Sequence, residues 1–194
     1  MIKKILSFEE ILKGCVKNDN GCKEMMYKSF YGYLMGIILR YVNNSYDGEE
    51  LVNDCFIKIF KNIESFQAPD NPADLQKTFK GWIGKIASRT AIDKLRTLKN
   101  HSYVDDLSEN EHPVSHVSIA SDLHVQDILK LLNNLPDTQR LVFNLYEIEG
   151  FAHEEISRMM NIPESSSRVY LTRAKNKLRT LYLQTLVNSY EKNG

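Results

Sequence analysis

The fold of this chain is decided by the stretch FAHEEISRMMNIPESSSRVYLTRAKNKLR, which spans residues 151–179. Asn161 tolerates the left-handed backbone conformation that a tight turn requires, and Pro163 cannot continue the helix that precedes it. Glu164 and the three serines after it place a negative charge and capping oxygens where the free N–H groups of a second helix need them. The stretch therefore predicts a helix-turn-helix, a motif that places its second helix in the major groove of DNA.

The second helix of this motif carries only basic charges between Glu164 and Arg179. At about 100° per residue, an inner face runs from Ser167 to Leu181 and the cations lie on the outer face. Side chains of the N-terminal half would meet base edges, and the later cations would meet phosphates. The residues predicted to contact DNA are Ser165, Ser166, Arg168, Val169, Thr172, Arg173 and Lys175. An ordinary amphipathic helix stays open as the alternative.

The charges of the chain are segregated although they cancel overall. The 194 residues include 25 basic and 25 acidic side chains, so bulk charge gives no support for nonspecific binding to polyanions. Residues 77–99 contain seven bases and one acid, whereas residues 47–54 contain four acids and no base. Residues 105–127 contain six acids and no base. Any contact with nucleic acid must therefore come from local basic surfaces.

The cysteines and the apolar segments indicate the compartment. Three cysteines without Cys-x-x-Cys spacing favour free thiols in a reducing environment. No apolar run has the length of a signal sequence or of a membrane span. We therefore expect a cytoplasmic protein that does not insert into membranes.

Apolar residues recur at helical spacing between the turns, and no alternation typical of a strand is present. The sequence predicts an all-α fold of two small helical domains joined by a flexible acidic linker. The N-terminal domain spans residues 1–99 and opens with a capping box at Ser7-Phe-Glu-Glu10. The linker spans 100–121, because this stretch is acidic, serine-rich and aperiodic. The C-terminal domain spans 122–194 and contains the helix-turn-helix.

The helices of the N-terminal domain are predicted after the first one at about 20–41, 47–63 and 75–98, with a loop at 65–74 that contains two prolines. In the C-terminal domain, helices are predicted at about 123–133 and from 135 to Gly150, before the helix-turn-helix.

A basic stripe lies on the last helix of the N-terminal domain. One narrow sector of this helix contains Lys85, Arg89, Arg96 and Lys99, while Phe79, Trp82 and Ile83 point inward. The stripe is interpreted as a cationic rail for a phosphate backbone, with polar neighbours such as Ser88 and Thr90 near the bases. The predicted contacts are Lys80, Lys85, Ser88, Arg89, Arg96 and Lys99. A solvated charged face is the alternative.

The helix predicted at 47–63 presents acids around an apolar residue on the side opposite its apolar face. Glu50 and Asp54 repel each other mildly, and Ile57 is predicted to be exposed beside them. Such a surface suits a basic protein partner. The predicted contacts are Asp47, Glu50, Asp54, Ile57 and Lys61. The alternative is that the acids merely complement the helix N-terminus.

The sequence contains no glycine-rich phosphate loop, nucleophile elbow or paired His–carboxylate motif. We therefore predict neither a cofactor nor catalytic activity. His112 and His116 have the spacing of metal ligands, but Pro113 lies between them and a third ligand is not evident, so no metal site is predicted.

Three blocks in order resemble the extracytoplasmic-function group of the sigma-70 family, the promoter-specificity subunits of bacterial RNA polymerase. DGEELVNDCFIKIF, at 47–60, is similar to the helix with which the family binds the coiled coil of the largest polymerase subunit. FKGWIGKIASRTAIDKLR, at 79–96, is similar to the segment that recognises and melts the −10 element. The block from Leu135 to Leu178 resembles the domain that reads the −35 element.

The resemblance implies that residues 1–99 act as sigma region 2 and residues 122–194 as sigma region 4. It implies core RNA polymerase and promoter DNA as partners, and an anti-sigma factor as a regulator common in this group. The linker would run toward the RNA exit path, and the loop at 65–77 would capture a flipped base of the non-template strand. Ser167 departs from the apolar β-branched residue usual in the family and should weaken packing slightly. Tyr170 departs from a common basic residue and removes a phosphate contact.

Two other functions are weighed against this one. A helix-turn-helix transcriptional regulator that acts without core polymerase would bind a two-fold operator, but the linker and the asymmetric N-terminal blocks argue against it. An α-helical enzyme that uses Glu50, Asp54 and a histidine would need a third converging group, which the sequence does not show.

Overall fold

The computed structural model describes the backbone of residues 6–42, 44–100 and 131–191, with side chains as far as 97 and 184 in the last two ranges. All regular structure in these ranges is helical, which confirms the prediction of an all-α fold. The chain divides after Leu95 into two compact units, the N-terminal unit and the C-terminal unit. Across the same ranges, no helix combines the length and the apolarity that crossing a lipid bilayer requires. The predicted linker lies outside the described residues except for Asn100.

The N-terminal unit is built from α1 (Phe8–Val16), α2 (Asn20–Ile38), α3 (Ser45–Asn62) and α4 (Leu75–Asn100), the last of which continues past Leu95. Ser7 caps α1 with the predicted capping box. The Ser7 hydroxyl accepts the Glu10 N–H at 3.2 Å, and the Glu10 carboxylate accepts the Ser7 N–H at 2.8 Å. A short 3-10 turn at Ile63–Ser65 leads into the predicted loop, and a second one, Pro72–Asp74, forms its last three residues.

The start of α3 differs from the prediction by two residues. Asn44 Oδ1 accepts the N–H of Asp47 at 2.7 Å, and Asn44 Nδ2 donates to Asp47 Oδ2 at 2.8 Å. An asparagine cap of this kind satisfies a free N–H of the first turn, so the helix begins at Ser45 instead of Asp47. Tyr46 therefore belongs to α3.

An aromatic cluster forms the centre of the N-terminal unit. The buried ring of Phe79, on α4, has its centroid 5.3 Å from the centroids of Phe8 and Phe30 and 5.2 Å from that of Phe66. Trp82 joins the cluster, 5.5 Å from Phe66. Such pairs contribute about 0.5–1.5 kcal/mol each beyond the burial of their surface. Phe66 thus anchors the loop on α4, and Phe8 anchors α1 on the same core.

The C-terminal unit contains α5 (Asp137–Phe143), α6 (His153–Met160) and α7 (Glu164–Glu191). Residues 131–133 are helical, and the rest of the helix predicted at 123–133 lies outside the described residues. Leu132, Leu135 and Ala174 are buried together, and Phe143 and Leu178 pack against them. This apolar cluster holds the inner face of α7 against the chain that precedes α5.

The helix that the sequence predicts to run from 135 to Gly150 ends in a π-helical turn. The turn spans Asn144–Ile148, and the Glu149 N–H donates to the Asn144 carbonyl at 3.0 Å, five residues back. Gly150 then adopts φ +72°, a conformation that glycine takes without steric cost. The chain leaves the turn and enters the helix-turn-helix directly.

Candidate functional site

The acidic side of α3 carries five side chains at helical spacing, and we call this set the α3 surface: Tyr46, Glu50, Asp54, Ile57 and Lys61. Ile57 is 66% exposed, as the sequence predicts, and Tyr46 is 80% exposed. Tyrosine is enriched at protein interfaces, and an exposed isoleucine offers apolar area that a partner can bury. The sequence interpretation missed Tyr46 because it placed the start of α3 after this residue.

The acids near the α3 surface have different surroundings. Asp47 is tied to its own cap residue, Asn44, and therefore also serves the helix N-terminus. Glu50 and Asp54 are both exposed, and Glu50 lies 3.4 Å from the ammonium of Lys94 on α4. A half-exposed ion pair of this kind contributes about 0–1 kcal/mol, so Glu50 can exchange its partner at little cost.

The basic residues predicted on α4 lie largely at the surface. Arg89 and Arg96 are exposed and Lys85 is half-buried, and they share one side of the helix. Lys80 is exposed, with its ammonium 5.6 Å from the ring centroid of Tyr33. The side chain of Lys99 lies outside the described residues.

Ser88 does not lie with these cations, and neither does Thr90. Both side chains are buried. The Ser88 hydroxyl donates to the Gly84 carbonyl at 3.1 Å, and Thr90 Oγ1 accepts from Lys58 Nζ on α3 at 3.0 Å. Both hydroxyls form hydrogen bonds inside the N-terminal unit and do not reach its surface. The prediction that Ser88 and Thr90 lie near the bases is therefore corrected.

A groove of about 400 Å³ separates α1 from the loop that follows α3. Leu12 and Val16 line it from α1, and Pro69 and Pro72 line it from the loop. The sequence interpretation assigned no role to α1. The structure gives α1 a place beside the loop, in addition to its contact with the aromatic core.

The turn of the helix-turn-helix is fixed by local hydrogen bonds. Asn161 ends α6 in the left-handed conformation with φ 53° and ψ 49°, as the sequence predicts. The Ser157 hydroxyl donates to the Ile162 carbonyl at 2.6 Å. At the other end of α6, the Glu155 carboxylate accepts the Ala152 N–H at 3.1 Å. Both ends of α6 are thereby defined before α7 begins at Glu164.

The outer side of α7 presents the side chains that the sequence assigns to DNA contact. Ser165, Arg168, Val169, Thr172, Arg173 and Lys175 are exposed, and Ser166 is half-buried. Arg168 pairs with Glu164 one turn earlier, and Lys175 Nζ lies 2.6 Å from Glu147 Oε1 on the π turn. Both pairs are largely exposed, so phosphate groups can replace the acids at little cost.

The inner side of α7 contains a polar pair that the sequence interpretation missed. Ser167 is buried, and its Oγ lies 2.9 Å from Nδ1 of the buried His153. The ring of Tyr146 stacks on His153 with centroids 4.4 Å apart and an interplanar angle of 22°. Burial, followed by the charge of Arg168, holds the pKa of His153 below its ordinary value of 6.5, against an opposing effect of Glu164. A serine at an inner helical position was the available signal, because a buried hydroxyl requires a partner.

Comparisons with known proteins identify both parts of the chain. The family model for sigma-70 region 2 matches residues 26–101, and the model for sigma-70 region 4 matches residues 125–178. An ECF RNA polymerase sigma-E factor from Haemophilus influenzae is 24% identical over 193 residues, covering 91% of this chain and 97% of that protein. The ECF RNA polymerase sigma factor SigW from Bacillus subtilis is 27% identical over 152 residues, covering 72% and 78%.

Among solved structures, the sigma factor RpoE in complex with the anti-sigma factor NepR, from Bartonella quintana, is 21% identical with a TM-score of 0.48, covering 82% of this chain and 95% of that one. The two family models match separate parts of the sequence in the order that the three blocks predict. The chain therefore belongs to the sigma-70 family of RNA polymerase sigma factors, within its extracytoplasmic-function group.

Proposed function

We propose that this sigma factor divides promoter-directed transcription initiation among three of its surfaces. The α3 surface binds core RNA polymerase, the basic side of α4 holds the opened −10 region, and the outer side of α7 reads the −35 element. The observation that carries the proposal is the separation of charge, which puts acids and exposed apolar groups on α3 and exposed cations on α4 and α7. The corresponding domains are residues 1–99 and 122–194, joined by the linker 100–121.

The α3 surface suits a basic protein partner better than it suits catalysis. Ile57 and Tyr46 expose apolar area that a partner would bury, and Asp54 and Glu50 provide charge complementarity beside it. Glu50 already pairs with Lys94, which shows that it accepts a basic side chain from outside α3. The two carboxylates lie on the exposed side of a helix, so the geometry does not favour the enzyme alternative.

The basic side of α4 suits a nucleic-acid strand that has lost its duplex geometry. Arg89 and Arg96 lie two helical turns apart on one side of the helix, so each can hold a phosphate of the same strand. The loop anchored by Phe66 lies next to the start of α4, where a base extruded from the duplex could be received.

The outer side of α7 suits the major groove. Arg168, Val169 and Thr172 expose a cation, an apolar group and a hydroxyl within the first three turns, which is the end of a recognition helix that meets base edges. Arg173 and Lys175 follow as candidate phosphate contacts. The ion pairs with Glu164 and Glu147 hold Arg168 and Lys175 near that surface before DNA arrives.

We further propose that the protein acts in the cytoplasm, beside the polymerase, and has no catalytic activity of its own. An anti-sigma factor stays a prediction of the family resemblance. A regulator that works without core polymerase is not favoured, because the chain carries matches to both region 2 and region 4.

Reversing charge on the α3 surface tests the polymerase contact. Glu50→Lys with Asp54→Lys should abolish binding to core RNA polymerase from the host, because like charges would then meet across the interface. Complex formation is measured by gel filtration, and transcription is measured on fragmented host DNA. Glu24→Lys with Glu64→Lys changes the charge equally at exposed positions elsewhere in the N-terminal unit and should leave binding intact. Unchanged affinity of the α3 variant for core polymerase would refute the assignment.

A further inference from the structure

The inner side of α7 begins with a hydrogen bond, although the rest of it is apolar. Ser167 and His153 are 0% and 8% exposed, and their side chains meet at 2.9 Å. Tyr146 of the π turn covers the His153 ring by stacking. His153, at the start of α6, therefore contacts both the π turn that precedes α6 and the helix α7 that follows it.

The position of this contact decides what it can control. The apolar contacts of Ala174 and Leu178 lie toward the middle of α7, and apolar contacts impose little direction. A hydrogen bond does impose distance and angle. Ser167 immediately precedes Arg168, so the directional contact lies at the end of α7 that presents Arg168 and Thr172.

The direction that the hydrogen bond imposes on α7 matters because a recognition surface tolerates little misorientation of its side chains. Binding constellations must be held within about 0.5 Å and 10–20° of the productive geometry. Apolar burial is non-directional, so it constrains the rotation of a helix less sharply than a hydrogen bond does. The Ser167–His153 bond resists such rotation because its two atoms belong to different helices.

Stability alone does not explain the pair. A buried hydroxyl and a buried imidazole lose their hydration, and one hydrogen bond returns little more than that loss. Two apolar side chains of similar size would fill the same space at no such cost. What the polar pair adds over an apolar pair is a defined orientation.

We propose that His153 is a positioning residue for recognition of the −35 element, which acts through Ser167 to fix the rotation of α7 about its own axis. Stacking on Tyr146 fixes the orientation of the imidazole ring, and the hydrogen bond from that ring to Ser167 fixes the orientation of α7. The inference rests on the proposed function, because it takes α7 as the helix that meets the upstream DNA.

The test uses the full-length chain in holoenzyme. Wild-type holoenzyme first selects promoters from fragmented host DNA, and one of these supplies a fragment with an intact −35 element and a matched fragment in which that element is scrambled. The ratio of the two affinities is the readout. Unlike either affinity alone, the ratio does not change when a variant merely loses part of its folded population.

Two variants remove the bond from opposite sides. His153→Phe keeps a ring to stack on Tyr146, and Ser167→Ala removes the hydroxyl. Each should lower the ratio about two- to tenfold, the factor that one hydrogen bond supplies. The double variant should lose no more than either single variant, because both act on one interaction. Thr180→Ala, which removes a hydroxyl bonded to the Asn176 carbonyl elsewhere on α7, should keep the wild-type ratio.

The outcomes separate the two levels of the proposal. A wild-type ratio near one would overturn the role of α7 itself, and this inference with it. A wild-type preference that His153→Phe and Ser167→Ala both retain would overturn the inference alone. If a single variant does not fold, the double variant decides, since it leaves no buried polar atom of the pair without a partner: a lowered ratio supports positioning and an unchanged ratio refutes it.

Discussion

Ser167 is a polar residue on the otherwise apolar inner face of α7. The periodicity of α7 places it on the inner face, where a hydroxyl in an apolar surrounding would weaken packing. The structure supplies a partner, His153, fourteen residues earlier, so the hydroxyl is satisfied. The partner could not be found from the sequence, because the contact depends on how α6 and α7 fold back on each other. The exposure of Ile57 and Arg168 did follow from the sequence, because it depends on the periodicity of one helix alone.

His153 gives the chain a predictable response to acid. Its pKa is lowered in the folded state, so below pH 6.5 the unfolded chain binds a proton more readily than the folded one. The free energy of unfolding of the C-terminal unit should therefore fall as the pH drops from 6.5 toward the lower pKa of the folded state. The charges of Arg168 and Lys175 reinforce this effect, and that of Glu164 opposes it.

Urea titrations at pH 8 and pH 5.5 measure this response. The wild type should lose more stability between the two pH values than His153→Phe, which carries no titrating ring at this position. An equal loss in both proteins would show that another group is responsible.

At the scale of elements, several helix ends are set by residues close to them in sequence, and these ends could be predicted. The capping box at Ser7 and the left-handed Asn161 were predicted because each depends on neighbours within a few residues. The π turn was not predicted, because its five-residue hydrogen bond is selected by packing within the folded unit. Thr90 was misplaced because its hydroxyl contacts Lys58 on α3, a helix that periodicity alone does not locate. Ser88 was misplaced because it is buried and its hydroxyl bonds to the Gly84 carbonyl one turn earlier.

Asn161 allows the turn between α6 and α7 to be tested directly. Asn161→Gly should leave the melting temperature nearly unchanged, since glycine adopts a positive φ readily. Asn161→Val should cost about 1–2 kcal/mol of unfolding free energy, because a β-branched side chain is strained in the left-handed region. Thermal melts followed by circular dichroism distinguish the two. Equal stability of the glycine and valine variants would contradict the role given to this conformation.

At the scale of the whole molecule, zero net charge and local segregation have a joint consequence. A protein without excess positive charge has little general attraction for DNA, so the basic surfaces must act where a partner brings the strand to them. Under the proposed assignment, polymerase binding through the α3 surface and DNA binding through α4 and α7 would be successive steps on one chain.

The salt dependence of promoter binding tests the contribution of α4. Replacing Arg89 and Arg96 with alanine should reduce the magnitude of the slope of log affinity against log salt concentration by about 1 to 2, because each phosphate contact contributes slightly less than one. The slope is measured with holoenzyme on a promoter fragment opened at the −10 element. Lys13→Ala with Lys28→Ala removes two exposed cations from α1 and α2 and should leave the slope unchanged. A slope that responds equally to both pairs would place the phosphate contacts elsewhere.

The π turn at Asn144–Ile148 also makes the chain sensitive to changes in length at one place. A π turn holds one residue more than an α turn, so deleting one residue there would allow ordinary α-helical bonding to continue to the end of the helix that begins with α5. The deletion would nevertheless rotate the side chains that follow it in the turn by about 100° relative to the side chains of α5. Tyr146 would then leave the face of His153, although no residue of the helix-turn-helix had been altered. Under the proposed role of α7, a deletion upstream of the helix-turn-helix would thus change DNA recognition without altering α7 itself.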